Sequence, residues 1–204
     1  MNVTSSSICL IEFCDNAPPV FNYVSVGGPH ASVSAIPDWC TSLFCLILKA
    51  VFSQVYTDLA QDHIAPSGYV KIPTDIKNYL ENSKYLPKLN NERPLEKNST
   101  YKDRFTSLHH LVLIMFEKEN VMIPKETSWF GYYPDGASTP VLPPQKTKLY
   151  TEDWIGLKTL DAAGKVKFLS VPGAHIEITD DEVVEYVVPY LQNEYTFSSQ
   201  HEAM

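Results

Sequence analysis

The sequence predicts an α/β fold built on a parallel sheet. Three runs, residues 20–28, 111–116 and 166–171, are almost continuously apolar and rich in β-branched or aromatic side chains. A strand covered on both faces loses the alternation of a half-exposed one, so such runs read as buried parallel strands. Each is followed at once by a loop rich in Pro, Gly or charge, and helical stretches separate them. With 204 residues, 44% of them apolar and 20% charged, the chain has material for one domain with a sizeable core.

The helices follow from their end signals. Thr179-Asp180-Asp181-Glu182 is a capping box, and Val183, Val184, Val187, Val188 and Leu191 fall on one face behind it. This predicts a terminal helix docked on the sheet. Thr151, acidic residues 152 and 153 and the stop at Gly164 frame another helix, with Trp154, Ile155, Leu157 and Leu160 inward, crossing from the second strand to the third. About eighty residues separate the first two strands, far more than one crossover helix needs, so an inserted, mostly helical subdomain is expected over residues 29–110. Its predicted pieces are a strongly apolar helix near 41–59, a short one near 74–82, a Lys/Asn/Pro loop through Pro94 and a helix near 101–109.

Composition narrows the partners. The formal net charge is -8 and no Lys/Arg-rich run occurs, which argues against nucleic acid. The longest apolar stretch, residues 43–52, is broken by Lys49 and is far shorter than the roughly 20 residues a spanning helix requires. Residues 1–10 are Ser/Thr-rich, without the basic-then-apolar pattern of a secretory signal, and are expected to be unrelated to the domain or disordered; residues 196–204 read as a disordered tail. Asn2-Val3-Thr4 and Asn98-Ser99-Thr100 match the N-glycosylation pattern, which matters only in the secretory pathway. Cys40 and Cys45 are close enough to bridge, Cys9 and Cys14 have no obvious mates, and buried free thiols are the alternative for all four. His63, His109 and His110 make no metal-ligand spacing with any Cys, and no cofactor or metal is expected.

Open α/β sheets carry their chemistry on the loops at the carboxyl ends of the strands. After the third strand, Pro172-Gly173-Ala174-His175 puts an imidazole on a tight loop; after the second, Glu117-Lys118-Glu119-Asn120 puts carboxylates on the neighbouring one. Acid before base is the chain order of an α/β-hydrolase triad once its nucleophile has passed. From the residues alone, a solvated loop histidine is the competing explanation. His30, at the end of the first strand, either lines this rim or serves a structural turn.

Several segments resemble palmitoyl-protein thioesterases. They are Cys14 with Pro18-Pro19 and the run Tyr23-Val24-Ser25-Val26-Gly27-Gly28-Pro29-His30; Trp129-Phe130-Gly131-Tyr132-Tyr133; Leu149-Tyr150-Thr151-Glu152-Asp153-Trp154-Ile155-Gly156-Leu157-Lys158; and the Gly173-Ala174-His175 turn, in register over residues 11–191. The resemblance implies an α/β-hydrolase that removes S-linked palmitate or other long acyl groups from protein cysteines with a Ser-Asp-His triad, in the lysosome, as a glycoprotein. Its substrates would be S-acylated proteins or long-chain acyl thioesters; oligomeric state is left open. His175 falls at the position of the family's general base. Glu119 falls at the position of its Asp, one methylene longer, and a solvated loop carboxylate is the alternative for it.

The sequence contains no Gly-x-Ser-x-Gly. The expectation is therefore an α/β-hydrolase domain over residues 11–195 that is truncated at its N-terminus and lacks the nucleophile. The inner edge of its first strand would be unpaired, and the chain alone would be inactive. Within the inserted region, Trp39, Leu43, Phe44, Leu46, Ile47, Val51, Phe52 and Val55 offer more apolar surface than one packing face needs, fitting either an acyl groove, as the resemblance implies, or a core helix.

Overall fold

The computed structural model describes residues 2–4, 19–37, 39, 49–50 and 52–191. Among these, four parallel strands form one sheet: β1 (Asn2–Thr4), β2 (Asn22–Val26), β3 (His110–Phe116) and β4 (Val166–Val171), adjacent in chain order. Asn22 to Val26 of β2 pair with His110 to Ile114, and Leu111 to Phe116 of β3 pair with Val166 to Val171. The inner edge of β2 is not left open along its length, as expected above: Asn2, Val3 and Thr4 pair with Asn22, Tyr23 and Val24. Those three residues are thus part of the sheet, and residues 1 and 5–10 lie outside the described residues.

The period-2 pleat splits the sheet's side chains between two cores. Tyr23, Leu111, Leu113 and Val166 face Phe105, Leu108, Phe130, Ile155, Leu157 and Leu160 on one side. Val24, Val112, Ile114, Phe116 and Val171 face Val183, Tyr186, Val187 and Tyr190 on the other. Covering both faces explains why β3 is buried from Leu111 through Phe116 and reads as an unbroken apolar run.

Between β2 and β3 lie α1 (Asp58–His63), α2 (Ile76–Asn82), α3 (Leu86–Leu89) and α4 (Ser99–Thr106). The expected helix over 41–59 is met only in part: residues 49–50 and 52–53 are helical, residues 41–48 lie outside the described residues, and Thr57 caps the separate helix α1. The start of α4 is set by the Asn98 side chain, which accepts a hydrogen bond from the Thr100 amide.

Two helix boundaries differ from expectation. Thr151 does not open the crossover helix; it closes α5 (Lys148–Thr151), which Thr147 caps, and the chain restarts as α6 (Leu157–Ala162). The break falls where Asp153 and Gly156 take left-handed backbone angles, at φ 53° and 89°. The capping box at Thr179 is present with both of its hydrogen bonds, yet the terminal helix is split into α7 (Asp180–Tyr186) and α8 (Val188–Leu191). Pro189 has no amide hydrogen to continue the ladder.

Candidate active site

Because β3 and β4 are parallel and in register to their last residues, the chain leaves both at the same edge. The ladder runs on into the loops: the Glu117 amide donates to the Val171 carbonyl at 2.8 Å and the Lys118 amide to the Gly173 carbonyl at 3.1 Å. The two loops are therefore stitched together before any side chain is considered.

After β4 the chain turns at once. The Glu177 amide donates to the Ala174 carbonyl at 2.9 Å, and the Glu177 carboxylate accepts from the Ala174 amide at 2.9 Å. Gly173 is required for this closeness, since a Cβ built there would lie 1.8 Å from the Glu177 carbonyl oxygen. At the third position of the turn Ile176 is held at φ 64°, in the left-handed region. That conformation costs a side-chain-bearing residue about 1–2 kcal/mol, and a β-branched one rarely enters it. His175 sits in the middle of the turn, its side chain 24% exposed.

Glu119 meets it from the other loop. One carboxylate oxygen, Oε2, lies 2.7 Å from His175 Nδ1; the other, Oε1, accepts from the Val121 amide at 2.8 Å and the Met122 amide at 3.1 Å. Its side chain is only 1% exposed. Such a carboxylate is not a solvated surface group. The two backbone amides fix one oxygen and leave the other directed at the imidazole. An ionised carboxylate only accepts, so Nδ1 carries the hydrogen and Nε2 is the nitrogen left to take a proton.

His30 is placed elsewhere. Its Nε2 lies 2.6 Å from the Ser25 hydroxyl, and its ring stacks on Phe130 at 4.9 Å. Sequence reasoning missed this Ser–His contact, which pairs residues only five apart on either side of a glycine turn. It has the composition of a nucleophile and its base but cannot act as one: Ser25 is 1% and His30 5% exposed, and burial lowers the His30 pKa to about 3. The pair is a packing element beneath the rim.

The remaining candidates are scattered. Asn98 caps α4, while the Asn2 side chain and Cys9, Cys14, Cys40 and Cys45 lie outside the described residues. So do Leu43, Phe44, Leu46, Ile47 and Val51; of the other proposed groove residues, Val55 is buried, Phe52 half-buried and Trp39 exposed. His109 and His110 lie at the opposite, amino end of β3, with their Nδ1 atoms 3.0 Å apart. Among the described residues no group of three or more His, Cys, Asp or Glu is arranged to hold a metal ion, and no helix is long and apolar enough to cross a membrane. A cavity of about 400 Å³, lined in part by Lys71, Glu92, Tyr132 and Trp154, does not include His175 or Glu119. Its wall holds a buried ion pair, Lys71 Nζ to Glu92 Oε2 at 2.6 Å, to which Tyr79 adds a 2.8 Å hydrogen bond.

The family model for palmitoyl protein thioesterase matches residues 9–175, a stretch that runs from before β2 to His175 itself. The chain belongs to the palmitoyl-protein thioesterase family. Membership implies an α/β-hydrolase, of which the parallel sheet and its helices are part. Among curated relatives, the chain is 35% identical over 178 residues to palmitoyl-protein thioesterase 1 of Caenorhabditis elegans, covering 86% of this chain and 58% of that protein. It is 35% identical over 182 residues to palmitoyl-protein thioesterase 3 of Dictyostelium discoideum, covering 87% and 59%. It is 29% identical over 180 residues to the lysosomal thioesterase PPT2 homolog of Drosophila melanogaster, covering 84% and 60%. The chain thus spans about three-fifths of the length of these relatives.

Proposed function

We propose that this chain carries the acid–base half of a thioester hydrolase that removes palmitate or other long acyl groups from protein cysteines. The observation that carries the reading is the 2.7 Å contact between His175 Nδ1 and Glu119 Oε2 at the carboxyl edge of the sheet, at the end of the segment that matches the family. In this reading His175 Nε2 takes the proton of a serine nucleophile as the thioester carbonyl is attacked, returns it to the leaving cysteine thiolate, and then activates water, which hydrolyses the acyl-enzyme to free fatty acid as the proton goes back to the serine. Glu119 holds the ring in that tautomer and stabilises the imidazolium that forms. The helical region of residues 29–110 shapes the acyl-binding groove, and Asn98, whose Oδ1 is taken up by the helix cap, is a glycosylation site in a secretory or lysosomal protein.

The sequence holds no Gly-x-Ser-x-Gly, and this favours a second reading, in which the chain as it stands binds acylated partners without turning them over. Loss of a serine nucleophile removes the acyl-enzyme route, typically about a millionfold in rate. One comparison separates the two readings. Purified chain should not hydrolyse an S-palmitoyl peptide above buffer, whereas a longer version extended to include an upstream Gly-x-Ser-x-Gly segment should, and should lose activity on His175→Ala. Turnover by the chain alone, abolished by His175→Ala, rejects the non-catalytic reading; an active longer protein that ignores His175→Ala rejects the assignment of the base.

A further inference from the structure

Two large apolar side chains stand exposed at this rim, each beside one member of the acid–base pair. Ile176 follows His175 directly and is 73% exposed. Trp39 is 60% exposed, and its indole N–H donates to the carbonyl of Asn120, the neighbour of Glu119, at 3.2 Å. Ile176 is the more telling. It occupies a left-handed position, φ 64°, that Gly or Asn would fill without strain, and it turns a branched hydrocarbon toward water. Both features are unfavourable in the free protein, and among the described residues Ile176 is left 73% exposed. Residues held in sparsely populated backbone regions cluster at ligand clamps, where contact with the ligand compensates.

We infer that Ile176 and Trp39 are specificity-determining lips that grip the acyl chain of an S-acylated substrate where it enters the site. The inference rests on the thioesterase reading and adds to it which residues sense the hydrocarbon. Charge favours a single acyl chain over a membrane surface as the occupant: the protein carries a formal net charge of -8, and the exposed charges of the same two loops, Glu117, Lys118 and Glu177, leave an excess of acid, so an anionic bilayer gains no attraction there. A neutral alkyl chain meets no such penalty.

The test uses this chain and a peptide whose cysteine bears a non-hydrolysable S-hexadecyl thioether, with the S-methyl peptide as control, followed by calorimetry. The wild-type chain should bind the hexadecyl peptide and not the methyl one. Ile176→Asn, which suits the left-handed position, should weaken that binding about tenfold, as expected for loss of one buried aliphatic side chain, while the melting temperature stays level or rises by about 2 °C. Trp39→Ser should weaken it comparably, and Ile176→Leu should restore most of it. Stability and affinity moving in opposite directions is the signature, since a merely structural residue would lower both. Unchanged hexadecyl affinity in Ile176→Asn, or a sharp fall in its melting temperature, overturns the lip assignment and leaves the thioesterase reading intact. Failure of the wild-type chain to distinguish the two peptides overturns the lip assignment together with the reading in which the chain binds acylated partners without turning them over, while the acid–base reading stands or falls on the longer protein.

Discussion

His30 makes the stability of this protein acid-sensitive by a calculable amount. Its ring is 5% exposed, packed flat on Phe130 and edge-on to Tyr23, with burial alone lowering its pKa from 6.5 to about 3. The folded state therefore binds fewer protons than the unfolded chain between those two values. Stability is fully present above pH 6.5 and is lost as the pH falls toward 3. A depressed folded-state pKa of this kind removes roughly 3 kcal/mol by two units below 6.5. His30→Gln keeps an acceptor for the Ser25 hydroxyl but cannot titrate. It forfeits the stacking on Phe130 and some packing, about 1.5 kcal/mol in all, so the variant should be weaker than wild type at neutral pH. The two stability curves should then cross a little above pH 5 and separate in the opposite sense below it. Urea unfolding followed by tryptophan fluorescence at about pH 7, 5.5 and 4.5 measures this, and the other titrating groups cancel in the difference. If wild type and His30→Gln lose the same stability between the highest and lowest pH, the ring is not held neutral by burial and the reasoning is wrong.

Two further outcomes are expected. Gly173→Ala places a Cβ 1.8 Å from the Glu177 carbonyl, so the turn must open and carry His175 away from Glu119. The proton resonance of the His175 Nδ1–H should disappear and stability should fall by about 2 kcal/mol, and a retained resonance would contradict the geometry. Glu92→Ala strips the counter-ion from Lys71, whose side chain is 13% exposed, and should cost about 3–5 kcal/mol in urea unfolding. Replacing both residues by Met should recover much of that loss. A double variant no better than the single one would show that the pair is valued for more than mutual charge compensation.

Local signals were legible in the sequence where they were strong and self-contained. The runs that became β2 and β3 declare themselves because a strand covered on both faces needs no polar alternation. β4 was placed by the same reading but is not covered on both faces, since Lys167 and Ser170 are exposed and only Val166 and Val171 are buried, and the Thr179 capping box is a complete motif within four residues. The neighbouring placement of His175 and Glu119 was readable for a topological reason: parallel strands end at a common edge, so the residues just after them must meet. What escaped depends on atoms distant in sequence or on backbone angles. No pattern marks Lys71 and Glu92 as partners across twenty-one residues, or the left-handed angle of Asp153 that separates α5 from α6. The pairing of Asn2, Val3 and Thr4 with β2 was invisible because three residues are too few to show the alternation or apolar run by which a strand is read. The site's electrostatics were the least legible part, since what fixes the Glu119 carboxylate is main-chain amide geometry, which leaves no trace in side-chain identity.

A carboxylate anchored by amides of its own loop, bonded to an imidazole on the adjoining loop, depends on two neighbouring strands and little else. Neutral drift in the surrounding side chains would leave the couple standing, and exchange of aspartate for glutamate would need only a small adjustment of one loop. The couple is in that sense self-contained, built by two adjoining loops and their own amides.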